Sequence, residues 1–394
     1  MYWIFLIPII LIFHRFRKFR LIDFYRPSIL ILLYTSVSLF LGIYVLEQDL
    51  LFYNRYNEVL VHDSYLSSLW IIWFLIITSL YVLPRKRIHL DYGRISRGLR
   101  FFLVGLVFLF ILIPVNLPIL GLQGSVSIYI ILSLVPLILL SAARKMSFLI
   151  LATLIVVLSS QVFYENKREV FFLLIVVIGV AGFRFFTINY LHALVLLLFG
   201  IIMVLYLSLL RGYGGYNESG IDLLFRVKDY ALDPDNIGYI ITNFELESSS
   251  CNAVYSIEKV LDGSLEVTYG EGFLKPFTMF VPRSVWPGKP INYVSYYTSR
   301  VFPFLWASGT SLPVLAVSEF FGSFKWGAFV MFPLFMRYLD VVYIWFLTSK
   351  NIIRVAIGIT MAATAIQYGR GSGLEMYFYP FVFAAPLYAL LWKK

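Results

Sequence analysis

The sequence predicts an all-α integral membrane protein that crosses the bilayer many times. Of its 394 residues, 60% are hydrophobic and only 14% are charged, whereas soluble domains carry roughly one-quarter charged residues. Apolar runs of about 17 to 22 residues recur along the chain, and each can cross a hydrocarbon core of roughly 30 Å as a helix. This composition excludes an ordinary soluble globular protein.

The positions of Lys and Arg predict the orientation of the spans. The net charge of +10 is concentrated in short links between apolar runs, which is typical of cytoplasmic loops and does not indicate nucleic-acid binding. The basic clusters at 14–20 and 85–100 are therefore expected in the cytoplasm, with the N-terminus outside and the C-terminus inside. Eleven spans are predicted, at 2–13, 28–46, 69–83, 101–117, 125–140, 147–163, 170–182, 190–210, 326–337, 352–365 and 377–391.

The ninth span contains two charged residues three positions apart, Arg337 and Asp340. The interpretation favoured by the sequence ends the span near Arg337, which reaches to the interface while Asp340 lies at the cytoplasmic surface. Residues 338–347 would then be an interfacial connector. The alternative is a buried ion pair between the two residues on a proton path.

Residues 211–324 form one long external segment within a single membrane domain that covers residues 1–394. Its spread of apolar and aromatic residues argues against disorder, and three short helices are expected in it. The first two cover 222–232 and 252–261, the second with Gly263 as its stop. The third covers 311–321, with Ser311 as N-cap and Gly322 as its end, and is expected to lie at the outer surface or to re-enter.

The stretch VPRSVWPGKP, residues 281–290, lies between the second and third of these helices. Its prolines favour extended or turn geometry, so Arg283 and Lys289 are presented on a stiff segment. Trp286 suits the headgroup level of a membrane. Two interpretations are open from these residues alone, an interfacial anchor and a prearranged anion site.

Residues 243–327 resemble the O-antigen polymerase (Wzy) family of oligosaccharide repeat-unit polymerases. PRSVWPGKP (282–290), SLP (311–313) and SEFFGSFKWG (318–327) match stretches of its external segment, with Ser318 where glycine is more usual. RGS (370–372) and NKRE (166–169) resemble two further basic elements. The family's arginine-x10-glycine pattern is not matched cleanly, because Arg226 and Gly238 are one residue too far apart.

This resemblance implies an enzyme of the bacterial inner membrane with its active face in the periplasm. A growing glycan on undecaprenyl pyrophosphate would be the donor and one lipid-linked repeat unit the acceptor, with a chain-length regulator as a further partner. An acceptor hydroxyl would attack the anomeric carbon and lipid pyrophosphate would leave. No cofactor is implied, since the reaction needs only cations at the pyrophosphate and one base.

Six cations are expected at the outer face and are candidates for binding pyrophosphate, because Arg in particular pairs two phosphate oxygens. They are Lys167, Arg168, Arg211, Arg283, Lys289 and Arg370. Glu319 is the candidate base, since a hydrophobic helix would favour its protonated form. Glu319, Arg283 and Arg370 form the expected catalytic set. The alternative for Glu319 is a loop cap or a pair with Arg283.

Asp233 and Asp235 form an Asp-x-Asp, a spacing that some glycosyltransferases use to hold a divalent ion. The same residues also fit an ordinary turn with an N-cap, and the sequence favours that turn and a metal-independent enzyme. Two other functions stay open. A flippase for lipid-linked oligosaccharide would be expected to show internal repeats and polar residues deep in several spans, and an O-antigen ligase would differ only in its acceptor.

Overall fold

Helices make up all the regular secondary structure that the computed structural model describes. It describes residues 2–16, 25–47, 65–84, 96–112, 126–141, 246–278 and 281–371, and positions 86, 88, 373–375, 377, 378, 382, 385, 388 and 389. The helices are α1 (Leu6–Phe16), α2 (Pro27–Glu47), α3 (Tyr65–Val82), α4 (Arg97–Leu112), α5 (Val126–Ser141), α6 (Leu246–Leu261), α7 (Lys275–Thr278), α8 (Tyr293–Val301), α9 (Pro303–Ala307), α10 (Ala316–Phe324), α11 (Ala328–Leu347) and α12 (Ile352–Arg370).

Four stretches among these residues are long and apolar enough to cross a membrane. They are Pro27–Tyr44, Tyr65–Val82, Ala316–Leu347 and Ile352–Arg370. Shorter apolar helices occur at Tyr2–Arg15, Gly98–Val107 and Ile130–Leu140. The described part of the chain is thus an all-helical bundle with membrane-length apolar helices, as its composition indicates.

The described helices coincide with several of the predicted spans. Helices α1 to α5 cover the first five of them to within a few residues, and α12 covers the tenth and continues to Arg370. The predicted spans 147–163, 170–182 and 190–210 and most of 377–391 lie outside the described residues. The number of spans therefore stays a prediction.

Asp340 departs from its expected place at the cytoplasmic surface. Helix α11 does not end near Arg337 but continues to Leu347, so residues 338–347 are not an interfacial connector. Asp340 is fully buried, and its carboxylate accepts hydrogen bonds from the Ser28 hydroxyl at 2.5 Å and the Ser28 N–H at 3.3 Å. Its ionic partner is Arg26, with 4.0 Å between Nη1 and Oδ2. The helix continues because these partners compensate the buried charge.

Several helices are tied together by cations at the end of the bundle where Asp340 lies. The Arg26 guanidinium donates to the carbonyls of Pro84 and Lys86, just beyond α3. Arg15 of α1 donates to the Leu83 carbonyl at 2.8 Å. Helices α1, α2, α3 and α11 therefore meet at one basic end, which is the end that the sequence assigns to the cytoplasm.

Helices α6 and α10, which the sequence places in the long external segment, are embedded in the bundle. Helix α6 packs against α2, α3 and α10, and α10 also packs against α11 and α12. Residues 314–323 are all buried. Helix α6 ends at Leu261 as predicted, and Gly263 has a φ of +81° just beyond it. The predicted helix 222–232 lies outside the described residues.

We expect the segment between α9 and α10 to be accessible from the side opposite to the basic end. A cysteine at exposed Ser308, with buried Cys251 replaced by serine, should react with a membrane-impermeant maleimide once the outer membrane is permeabilised. A cysteine at exposed Thr348, beyond α11, should react only after the inner membrane is opened. Labelling in the reverse order would contradict the predicted orientation.

We expect Asp340→Asn to destabilise the bundle, because it removes the carboxylate that faces the buried Arg26 side chain. Breaking a buried ion pair in this way costs about 3 to 5 kcal/mol. The free energy of unfolding, measured by titration with SDS in mixed micelles, would show it. Arg337→Gln is the control, since Arg337 is exposed and should change that free energy little. Equal unfolding curves for Asp340→Asn and the unmodified protein would show that the pair contributes nothing.

Candidate functional site

Helix α6 carries a row of buried polar side chains into the bundle. Ser249, Ser250, Asn252 and Ser256 are fully buried, and buried polar groups need hydrogen-bond partners. The Asn252 amide accepts from the Tyr297 hydroxyl at 3.1 Å and donates to the Pro313 carbonyl at 3.2 Å. The Ser256 and Tyr293 hydroxyls lie 2.7 Å apart. These bonds fix α8 and the end of the SLP stretch against α6.

The beginning of α10 differs from the expectation. Ser311 is not an N-cap, because the helix starts at Ala316 after Leu315, without a side-chain cap. The reason is that the preceding backbone bonds to other elements. The Leu312 N–H donates to the Thr298 hydroxyl at 2.9 Å, and the Pro313 carbonyl accepts from Asn252. Residues 311–315 are therefore held outside the helix, which begins only after them.

Gly322 also has a different role from the one expected. It does not end the helix, which continues to Phe324. Instead, a Cβ at Gly322 would collide with the ring and hydroxyl of Tyr293. Glycine at this position allows α8 and α10 to approach closely, so its importance lies in packing.

The RGS and SLP stretches meet in the structure. Gly371 follows α12 with a φ of +94°, in the left-handed region that favours glycine. A Cβ there would collide with the Val314 backbone, directly after Pro313. Two of the sequence elements singled out above are therefore in contact, although they are far apart in the chain.

The stretch 281–290 forms turns that carry its two cations differently. Arg283 is exposed, and its guanidinium is 3.4 Å from the Pro287 and Lys289 carbonyls. Lys289 is only 9% exposed, and its ammonium donates to the Val281 carbonyl at 2.8 Å. Trp286 is exposed at the same loop. The segment therefore carries one buried cation, Lys289, and one exposed cation, Arg283.

Lys275, at the start of α7, is a third cation at this place. Arg283 acts electrostatically on Lys275 and on Lys289, and Lys275 acts on Lys289. Burial lowers the pKa of Lys275 and of Lys289, the neighbouring cations lower it further, and the Glu375 carboxylate opposes the shift. Burial and mutual repulsion make these positive charges unfavourable. A place of this kind is suited to an anionic ligand, which would relieve the repulsion.

Glu375 lies against these cations and is held by the first turn of α8. It is 4% exposed, and its Oε1 accepts a hydrogen bond from the Asn292 amide. Asn292 is itself the N-cap of α8, since its side-chain Oδ1 accepts from the Ser295 N–H at 2.8 Å. Burial raises the pKa of Glu375, while Lys275, Asn292 and Lys289 oppose that shift.

Glu319 is buried in the first turn of α10, with an exposed fraction of 1%. Its neighbours are the Tyr368 side chain of α12 and Glu375. Its Oε1 has no hydrogen-bond partner among the described residues. The structure therefore places the expected base beside a second carboxyl, and neither at a loop cap nor in a pair with Arg283.

Of the other predicted site residues, only Arg370 lies among the described residues. Arg370 is half-buried at the end of α12, two residues beyond Tyr368, and its charge acts on Tyr34 of α2. Lys167, Arg168 and Arg211 lie outside the described residues, as do Asp233 and Asp235. Their roles stay predictions. Within the described residues no three His, Cys, Asp or Glu side chains come together as a metal site would require.

Lys275 and Glu375 were missed by the sequence reasoning, although each carried a signal. Glu375 is an acidic residue at the edge of an apolar stretch, and such residues are functional candidates in membrane proteins. Lys275 stands alone between Leu274 and Pro276, where orientation by cytoplasmic cations gives no reason for it.

Comparison of the chain with known protein families, with curated proteins and with solved structures found no match.

We expect Gly371→Ala to disrupt the meeting of the RGS and SLP stretches. The left-handed backbone costs on the order of 1 to 3 kcal/mol for such a residue, and the new Cβ would displace Val314. A lower melting temperature in detergent would report this. Gly288→Ala is the matched control, because the nearest atom to its Cβ is 3.9 Å away and no positive φ is required. Equal melting temperatures for both variants would contradict the assigned role of Gly371.

Proposed function

We propose that this protein is a polymerase of lipid-linked oligosaccharide repeat units, at the periplasmic face of the bacterial inner membrane. The observation that carries the proposal is the grouping of Lys275 and Lys289 around Glu375, with Arg283 beside both lysines and buried Glu319 next to Glu375. The resemblance of residues 243–327 to the O-antigen polymerase (Wzy) family supports it. Undecaprenyl-pyrophosphate-linked donor and acceptor would be the substrates, and a chain-length regulator a partner.

The three cations are suited to the lipid pyrophosphate of the donor. As the anomeric C–O bond breaks, negative charge develops on the departing pyrophosphate, and cations already in place stabilise that charge. Arg283 is exposed and has a planar fork that pairs two phosphate oxygens, whereas Lys275 and Lys289 supply charge from deeper positions. In this proposal Arg370, Lys167, Arg168 and Arg211 contribute further charge at the same face.

Glu319 is the proposed acceptor of the proton from the attacking hydroxyl. The acceptor oxygen forms a bond to the anomeric carbon, lipid pyrophosphate leaves with the bonding electron pair, and the hydroxyl proton passes to the carboxylate. Glu319 is suited to this role because it lies beside Tyr368 and Glu375 and its Oε1 has no hydrogen-bond partner among the described residues. No metal ion is required by this scheme.

A flippase and an O-antigen ligase are the alternatives. A ligase would use the same donor chemistry, so the described cations fit it equally, and only the acceptor distinguishes the two enzymes. A flippase is less well supported, because the cations and carboxyls described above gather in one place and do not follow a path along the spans. The resemblance of PRSVWPGKP to the polymerase stretch favours polymerisation.

The decisive experiment reconstitutes the purified protein with lipid-linked repeat units and separates the products on a gel. A ladder of lengthened glycans would support the polymerase, and it should persist in EDTA. Movement of the unit across the bilayer without lengthening would identify a transporter. Transfer to lipid A in place of a second unit would identify a ligase.

In that assay we expect Arg283→Ala to lower the polymerisation rate by roughly 10²- to 10³-fold, as for removal of one preorganised electrostatic donor. Arg283→Lys keeps the charge but loses the fork, so it should lose much of the rate as well. Arg300→Ala is the control, since Arg300 is an exposed cation on α8 that contacts Tyr296. If the Arg283→Ala protein is fully expressed and polymerises at the original rate, the 281–290 stretch is only an interfacial anchor.

A further inference from the structure

Glu375 presents a buried carboxylate oxygen that its own hydrogen bonds do not use. Oε1 is held by the Asn292 amide, whereas Oε2 is buried and has no hydrogen-bond partner among the described residues. The carboxyl occupies space that a side chain at position 373 would need, because a Cβ at Gly373 would be 2.7 Å from Oε2 and 2.9 Å from the Asn292 amide nitrogen. An unpartnered buried oxygen of this kind usually marks a ligand site or a functional group.

The groups around Glu375 come from every element packed against it. Lys275 of α7 and Lys289 of the 281–290 stretch are the cations that face it, with Arg283 beside both of them. Glu319 of α10 and Tyr368 of α12 are its acidic neighbours. Two lysines therefore face Glu375, and Arg283 lies beside them. With three cations and two carboxyls, the cluster is positive overall and favours an anion.

We propose that Glu375 is an internal counter-ion that occupies the cation cluster and competes with the phosphate groups of the ligand. This inference rests on the proposed function only for the identity of the ligand, and it assigns Lys275 and Glu375 to the same binding site. While the cluster is empty, Glu375 neutralises part of its charge and keeps the lysines in place without an anion. When a diphosphate binds, it takes over that role.

The consequence is that removal of the Glu375 charge should strengthen the binding of an anion. This distinguishes a competing counter-ion from an ordinary structural carboxylate, whose loss would weaken binding by releasing the lysines. The carboxylate and the ligand act on the same cations, so their coupling is unfavourable, and couplings of this kind range from about 5-fold to 150-fold. Removal of Lys275 should act in the opposite direction.

The test measures the affinity of purified protein in zwitterionic lipid nanodiscs for inorganic pyrophosphate by isothermal titration calorimetry. Glu375→Gln should bind it at least about 5-fold more tightly than the unmodified protein, and Lys275→Gln should bind it more weakly. Glu271→Gln is the matched control, because it makes the same charge change at an exposed residue four positions before Lys275. Its affinity should not change.

Equal or weaker binding by Glu375→Gln would overturn the proposal. If that variant does not give monodisperse protein, Glu375→Asp replaces it, since its carboxylate is withdrawn by one methylene. Tighter binding by Glu375→Asp supports the proposal, and equal or weaker binding overturns it.

Farnesyl diphosphate and phosphatidylglycerol serve as further probes of the ligand's source. Preference for farnesyl diphosphate over pyrophosphate indicates a lipid-linked ligand, equal affinity indicates free phosphate, and competition by phosphatidylglycerol indicates a headgroup site. The tightening in Glu375→Gln is expected with each probe that binds the cluster, and its absence with all three would overturn the counter-ion role. Because binding is measured without turnover, a failure of polymerisation leaves this result independent.

Discussion

The arrangement of the site depends on one constraint, the need of the buried polar face of α6 for hydrogen-bond partners. Serines and an asparagine buried among apolar helices destabilise the fold unless they are paired, because each unsatisfied group costs about 1 to 3 kcal/mol. The partners come from the segment that follows. Tyr293 and Tyr297 of α8 pair with Ser256 and Asn252, and Ser318 of α10 donates to the Ala253 carbonyl at 3.1 Å.

Two of these bonds hold a residue whose neighbour in the chain belongs to the site. Asn292 precedes Tyr293 and holds Glu375. Glu319 follows Ser318 and thereby lies beside Tyr368. The close approach of α8 and α10, which Gly322 permits, brings the two carboxyls together. The hydrogen bonds of α6 thus determine the geometry of the charged cluster, although α6 contributes none of the three cations.

The sequence predicted the helical bundle and the end of α6 well, because apolar periodicity and a terminating glycine are local signals. Its failures have non-local causes. Helix α10 starts late because Thr298 and Asn252 bind the backbone before it. Asp340 is buried because Arg26 and Ser28, distant in the chain, compensate its charge. No pattern within a span reveals such a partner, so a charged residue near a span end was assigned to the surface.

The candidate site shows the same division between local and non-local information. Arg283 and Lys289 could be found because prolines and cations in one short stretch are unusual in this chain. The sequence could not show that Lys275 and Glu375 lie near these two cations, since a single charge in a separate segment does not indicate which residues it approaches in space. Asn292 holds Glu375 in this position through its side-chain amide, and the sequence identifies Asn292 only as a helix cap.

The charges at the two ends of the bundle differ in a way that bears on function. At the basic end, buried Arg26 is matched by Asp340, Ser28 and backbone carbonyls, so its charge is compensated within the protein. At the other end, Lys275 and Lys289 share Glu375, Arg283 lies beside both lysines, and burial lowers the pKa of both lysines. Backbone carbonyls also accept from Arg283 and Lys289, but the cations there outnumber the nearby carboxyls, and their mutual repulsion is unfavourable. In the proposed function, the phosphates of the substrate would supply negative charge at this place.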